Sequence, residues 1–243
     1  SLPSETMALQ VLCWLTLTSL LVTCSSAAKL LDDFGGIEAD DSLSAVKANA
    51  DAMLHALQSA HNANDVVADR TVWIPQGKKY YMMPVRISGL SSVTVRVDGE
   101  LLASDIIDEW AKIVPGEDPF LSMFNLSTSE HILFTGHGRI DGQGHKWWVK
   151  TILREIPDAR PHLIYIEKTH NVTVENLRFS NSPMYHIKLQ DVDQVVIRGI
   201  DIKVDIGVQQ ILLTTHGHWD HANKRPTFPL NTDGIDPNGK NIH

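Results

Sequence analysis

A short apolar pattern that returns at coil-length intervals constrains this 243-residue chain more than any other feature. Residues 92–97, 131–134, 171–174 and 194–197 each lead from a polar residue into a period-two apolar run. Two of these runs continue alike, through 174–179 and 197–202, and their equivalent positions Val172 and Val195 lie 23 residues apart. Asn241-Ile242 begins another copy. Internal repeats of this length predict a solenoid. Second strands at 163–166, 185–189 and 210–213 fall between the repeated runs, so each turn of the coil holds several short strands. Inward Val, Ile and Leu with small or amide residues at the corners describe an all-β, right-handed parallel β-helix. On this reading Asn171, Asn176 and Asn181 sit at or near corners, where side-chain amides satisfy backbone groups that no ladder reaches. A β-sandwich would instead want regular hairpin turns, and Asp98-Gly99 and Asp141-Gly142 are the only strong ones between strands.

A solenoid needs its open end covered. Asp40-Asp41-Ser42 offers an N-cap, and Leu43, Val46, Ala50, Met53, Leu54 and Leu57 follow at steps of three and four. The spacing predicts an amphipathic helix over 42–60 that caps the first coil.

The first 28 residues stand apart from the fold. From Met7 to Val22 the chain is largely apolar and uncharged, and it then reaches Ser25-Ser26-Ala27-Ala28, the small residues after which a signal peptidase cuts. An apolar run of about 14 residues is short for a membrane span of roughly 20, so a secretory signal is expected rather than an anchor. Residues 1–28 are read as leader and signal, and 29–243 as the N-terminal portion of a single β-helix domain. Both cysteines, Cys13 and Cys24, fall in the leader, so the remaining chain would hold together without a disulfide. Asn125 and Asn171 lie in N-x-[ST] sequons. A net charge of -8 leaves no basic footprint for a nucleic-acid partner.

Chemistry concentrates in Asn231-Thr232-Asp233-Gly234-Ile235-Asp236, which places two carboxylates and an amide within six residues. Here the sequence resembles the polygalacturonases, family 28 of the glycoside hydrolases, whose N-T-D motif is the first of four that build the active site. The resemblance extends in the family's order through Ile74-Pro75-Gln76-Gly77-Lys78-Lys79-Tyr80, then Gly138-Arg139-Ile140-Asp141-Gly142-Gln143-Gly144 with Trp147-Trp148, then Arg160-Pro161 and Asn181-Ser182-Pro183. It implies a secreted, extracellular hydrolase of 1,4-linked galacturonan or a related pectic polymer, acting as a monomer with no metal or organic cofactor and no membrane contact after signal removal. Asp233 is then a water-activating carboxylate, with Asn231 and Asp236 as substrate-binding neighbours.

Inverting hydrolysis pairs such a base with a carboxylic acid about 6.5–9.5 Å away. By resemblance that acid belongs to a D-D pair one coil later, followed by G-H-G and R-x-K motifs. These would fall beyond His243, so the helix is expected to be incomplete at its C-terminal end and the chain inactive by itself. Setting Val195 on Ile242 brings His186 opposite Asp233 within one residue, which suggests a histidine facing the same groove and binding substrate. Gly136-His137-Gly138 precedes N-T-D and is read as a decoy for the family's G-H-G.

Two other functions fit parts of the sequence. A noncatalytic β-helix that retains only carbohydrate binding needs no acid at all. His216, His218, Asp220 and His221 match an H-x-H-x-D-H zinc motif, which would make a metal hydrolase. Only 22 residues follow His221, too few for that motif's remaining ligands, so no functional zinc site is expected.

Overall fold

The computed structural model describes residues 27–64, 66–111, 120–205 and 232–243. Alternation puts Val93, Val95 and Val97 inside while Ser92 and Arg96 face solvent, and the pattern repeats through Ile132 and Phe134 and through Val172 and Val174. Because the side-chain period is two, every strand must present the same face inward, and the chain can only wind.

The winding begins with β1 (Lys29–Leu30) and the helix α1 (Leu43–His61). A first coil holds β2 (Thr71–Ile74), β3 (Lys79–Met82) and β4 (Val85–Ser88), and a second holds β5 (Ser91–Val97), β6 (Glu100–Ala103) and β7 (Phe124–Ser127). The third runs through β8 (Glu130–Thr135), β9 (Arg139–Asp141), a short helix α2 (His145–Ile152) and β10 (Ile164–Glu167). The fourth contains β11 (His170–Glu175), β12 (Arg178–Ser180) and β13 (Ile187–Gln190). The fifth contains β14 (Val192–Arg198), β15 (Asp201–Lys203) and β16 (Ile235–Asp236), and β17 (Gly239–Ile242) follows.

These strands stack into three sheets. The first has the order β1-β2-β5-β8-β11-β14-β17, the second β4-β7-β10-β13-β16, and the third β3-β6-β9-β12-β15. Every strand pairing among the described residues is parallel. The fold is therefore a parallel β-helix, and a face-to-face sandwich is ruled out. The register is the one anticipated, with Val172 on Val195 and Val195 on Ile242. The strand expected at 210–213 lies outside the described residues.

Corners recur in stacked columns of left-handed backbone. Ser92, His131, Asn171, Gln194 and Asn241 occupy one column with φ between 51° and 57°. Thr128, Lys168 and Asp191 form a second, at 50°, 47° and 52°. Asn171, Asn176 and Asn181 all adopt this conformation, in keeping with the tolerance of Asn for it. Amides and hydroxyls share the corner work, Asn181 Oδ1 accepting from the Asp205 amide at 2.8 Å. Ser129 Oγ accepts from the Leu90 amide at 3.0 Å and donates to the Ser127 carbonyl at 2.8 Å, while Thr169 Oγ1 donates to the Glu167 carbonyl at 2.8 Å. Asp98-Gly99 makes no hairpin. A side chain on Gly99 would collide with the Pro75 and Lys78 carbonyls of the coil beneath, so the glycine serves close stacking.

The helix α1 starts as its cap predicts, with Ser42 Oγ accepting from the Ala45 amide at 3.4 Å. Val46, Met53 and Leu57 are buried on its inner face and join the single core that runs the length of the coil. Asn49, fully buried, fastens it. Its amide accepts from Ile37 N at 2.6 Å and donates to the carbonyls of Ile37 at 2.9 Å and Tyr81 at 2.7 Å. Among the described residues no helix is long and apolar enough to cross a membrane.

Candidate active site

The site is built where β16 joins the second sheet. Ile187 pairs with Ile235 and Lys188 with Asp236, so the inward-outward alternation of β13 is imposed on the residues after Asp233. Asp233 lies exposed just before β16, and Asp236 is half-exposed with its carboxylate 3.9 Å from Lys188 Nζ. Asn231 lies outside the described residues, as do His216, His218, Asp220 and His221.

His186 stands opposite Gly234, one residue from Asp233, which agrees with the expected register. Its side chain, however, goes under the groove rather than into it. The ring is fully buried, and both nitrogens are engaged by backbone. Nε2 accepts from the Ser182 amide at 3.4 Å, and Nδ1 lies 3.1 Å from the Asp233 carbonyl oxygen. An amide can only donate and a carbonyl can only accept, so the ring is the neutral tautomer with its proton on Nδ1. Burial lowers its pKa, against smaller opposing contributions from the Asp233 backbone and Asp141. The His186 main-chain N–H donates to the same carbonyl at 3.1 Å. The imidazole therefore positions Asp233 through its backbone and has no face free for a sugar, which replaces the direct substrate contact anticipated for it.

Four separated motifs converge on that histidine. Trp148 Nε1 donates to the carbonyls of Ser182 and Pro183, each at 3.2 Å, and Arg160 Nε donates to the Pro183 carbonyl at 2.7 Å. Ser182 Oγ in turn donates to the Tyr185 carbonyl at 2.8 Å. The Trp147-Trp148, Arg160-Pro161 and Asn181-Ser182-Pro183 motifs thus hold one turn, the turn holds His186, and His186 holds the N-T-D segment. Trp147 and Trp148 are both fully buried, Trp147 packing edge-on against Phe120 with ring centroids 4.8 Å apart.

Sequence reasoning missed three neighbours. Lys188 faces outward beside Asp236, and its Nζ lies 5.7 Å from the ring centre of Tyr185. Tyr185 stacks on His162 at 5.1 Å with 4° between the planes. The register that placed His186 would have placed Lys188 opposite Ile235, one residue from Asp236, had it been carried two residues further.

His162 gives this region a pH dependence. Its Nδ1 accepts from the Tyr185 amide at 3.2 Å, and burial, then Lys188 and Arg160, push its pKa down to about 3. In the unfolded chain it titrates at about 6.5. Above that pH it is neutral in both states and adds no pH dependence. Between about 6.5 and 3 the unfolded chain binds a proton that the folded chain refuses, so stability falls with pH by about 1.4 kcal/mol per unit. Urea unfolding at pH 6.5 and 4.5 should therefore show a loss about 2 kcal/mol larger in the parent than in His162→Gln. Equal losses in the two proteins would refute this assignment.

Asn125, the first sequon residue, is buried in β7, and Asn171, the second, is exposed with Nδ2 2.8 Å from His131 Nδ1.

Comparison with known proteins bears on the whole arrangement. Residues 65–242 match the model of "Glycosyl hydrolases family 28". The chain is 24% identical over 227 residues to a probable polygalacturonase of Vitis vinifera, covering 89% of this chain and 40% of that one. It is 42% identical over 107 residues to a polygalacturonase of Juniperus ashei, covering 42% of this chain and 17% of the other. The polygalacturonase structure from Erwinia carotovora ssp. carotovora superposes with a TM-score of 0.61 at 20% identity, over 89% of this chain and 53% of that one, and speaks for the fold. The chain spans less than half the length of the curated relatives it matches.

Proposed function

Because the chain belongs to family 28 of the glycosyl hydrolases, we propose that it carries part of the active groove of a secreted enzyme that hydrolyses 1,4-linked galacturonan or a related pectic polymer with inversion. The observation that supports this reading is the exposed Asp233, its main chain clamped from below by the buried His186. A base must be held still and left open to water, and this arrangement does both. Asp233 takes the proton of the attacking water. Asn231 and Asp236 bind the sugar, and Lys188 offers a cation for a uronate carboxylate beside Asp236.

The acid that protonates the leaving oxygen comes from a D-D pair on a neighbouring coil. Neighbouring strands are about 4.8 Å apart, so one or two coils bracket the spacing of an inverting pair. No Asp-Asp pair follows Asp233 within these 243 residues. Catalysis lacking the general acid forfeits about 10²- to 10⁴-fold, and loss of the cationic clamp compounds it. Secretion follows from removal of residues 1–28, and Lys29, the first residue after the cut, already pairs with Val72.

The test is release of reducing ends from polygalacturonate. The 243-residue chain alone should give no measurable release, and a version continued through the D-D, G-H-G and R-x-K motifs should be active. Silence from the continued version would overturn the reading in favour of a noncatalytic carbohydrate-binding helix.

A further inference from the structure

A second groove lies on the corner between the first and third sheets, over coils one to four, whereas Asp233 lies at the entrance to the second sheet in coil five. It encloses about 710 Å³, within the range of ligand-binding clefts. The floor is a preorganised charged cluster. Asp98 is mostly buried and accepts from Trp73 Nε1 at 2.9 Å, from Arg96 Nε at 2.6 Å and from the His137 amide at 3.2 Å. Those donors hold its pKa below the ordinary value despite burial, so the carboxylate is ionised and fixes both the indole and the guanidinium in place.

Around this floor the cations step from coil to coil. Lys79 comes from the first, with Nζ 4.9 Å from the ring centre of Tyr81, Arg96 from the second, and Arg178 from the fourth, donating from Nη2 to the His137 carbonyl at 3.1 Å. Lys78, also lining the groove, is already paired with Glu38 at 2.6 Å and Asp32 at 3.1 Å. Glu100 lies among the cations and pairs with Arg139 at 3.1 Å. A site of this makeup suits a ligand that repeats carboxylates and hydroxyls along its length. The cations take the carboxylates, Glu100 accepts from hydroxyls, and half-buried Trp73 offers an apolar surface to a sugar ring. The coil step of about 4.8 Å is of the same order as the rise of a pyranose along a 1,4-linked chain.

We propose that this corner groove is a second binding site for an acidic oligosaccharide, a short oligouronate, separate from the catalytic groove. The choice of uronate rests on the reading of the chain as a galacturonan hydrolase, while the cationic, sugar-compatible chemistry of the corner does not. It would hold a polymer chain against the enzyme away from Asp233, raising the local substrate concentration.

Calorimetric titration of the 243-residue chain with trigalacturonate tests it. Binding should occur, weaken with salt, and be absent for neutral 1,4-linked galactotriose. The Lys79→Gln/Arg178→Gln double variant, altered at two side chains outside the core, should bind at least about fivefold more weakly. Trp73→Phe should bind more weakly as well. No binding to the parent, equal binding by the double variant, or equal binding of the neutral sugar would overturn the proposal. Loss of binding in Lys188→Gln, which removes the cation beside Asp236, with retention in the double variant would place the oligosaccharide on the second sheet, ending this inference while leaving the hydrolase reading intact.

Discussion

Asp233→Asn, made in a version of the protein continued through the D-D, G-H-G and R-x-K motifs, is expected to lower kcat by about 10²- to 10⁴-fold and leave KM for polygalacturonate nearly unchanged. The amide has the shape of the carboxylate and keeps its contacts to water, but it cannot accept the proton that water must lose. Nothing holding the segment is disturbed, because His186 grips Asp233 by its carbonyl and not by its side chain. The loss should therefore appear in kcat alone, as for an interaction made only in the transition state. Initial rates of reducing-end release over a range of substrate concentrations would separate the two constants. An unchanged kcat would remove Asp233 as the base.

Gly136→Ala is expected to destabilise the fold by about 4 kcal/mol, a large share of the 5–15 kcal/mol that holds a typical domain together. Gly136 has φ of 129°, where L side chains are strained, and a Cβ there would collide with the carbonyl and amide of Val97 on the coil below. Val97 is fully buried backbone at the end of β5, so the obstacle cannot rotate away. His137→Ala, next door, should fall within about 0.5 kcal/mol of the parent, because that side chain is 86% exposed, its only side-chain contact to Asp98 is a long surface one of 3.8 Å, and its hydrogen bonds to Asp98 and Arg178 are made by main chain. Urea midpoints of the two variants give the comparison. Similar midpoints would show that the coils do not stack as closely as described. The contrast also explains why Gly136-His137-Gly138 misleads as a motif: Gly138, too, would press a side chain into the Gly99 carbonyl, so both glycines serve the stacking of coils.

The sequence by itself determined the coil. Branched apolar residues at every second position, returning after 23 residues from Val172 to Val195, admit only stacked strands in one register, since a slip by one residue would turn every Val and Ile outward. It also determined α1, whose cap and three-four spacing are local properties and whose observed span, Leu43–His61, matches the 42–60 expected. What escaped was set by neighbours far along the chain. The eight-residue α2 is too short for its period to stand out, and it forms because Trp147 and Trp148 find a buried site against Trp110, Phe120 and the Ser182-Pro183 turn. Asp98-Gly99 carries the local signal of a hairpin, but its carboxylate is spent on Trp73, Arg96 and His137, and its glycine on the coil beneath. His186 was placed by register to within one residue, yet whether its ring entered the groove or the core depended on a backbone amide at Ser182 and a carbonyl at Asp233, 47 residues away. In a solenoid the inward pattern repeats along the chain and can be read there, whereas the partners of a corner residue are supplied by the coils above and below, and only stacking brings them together.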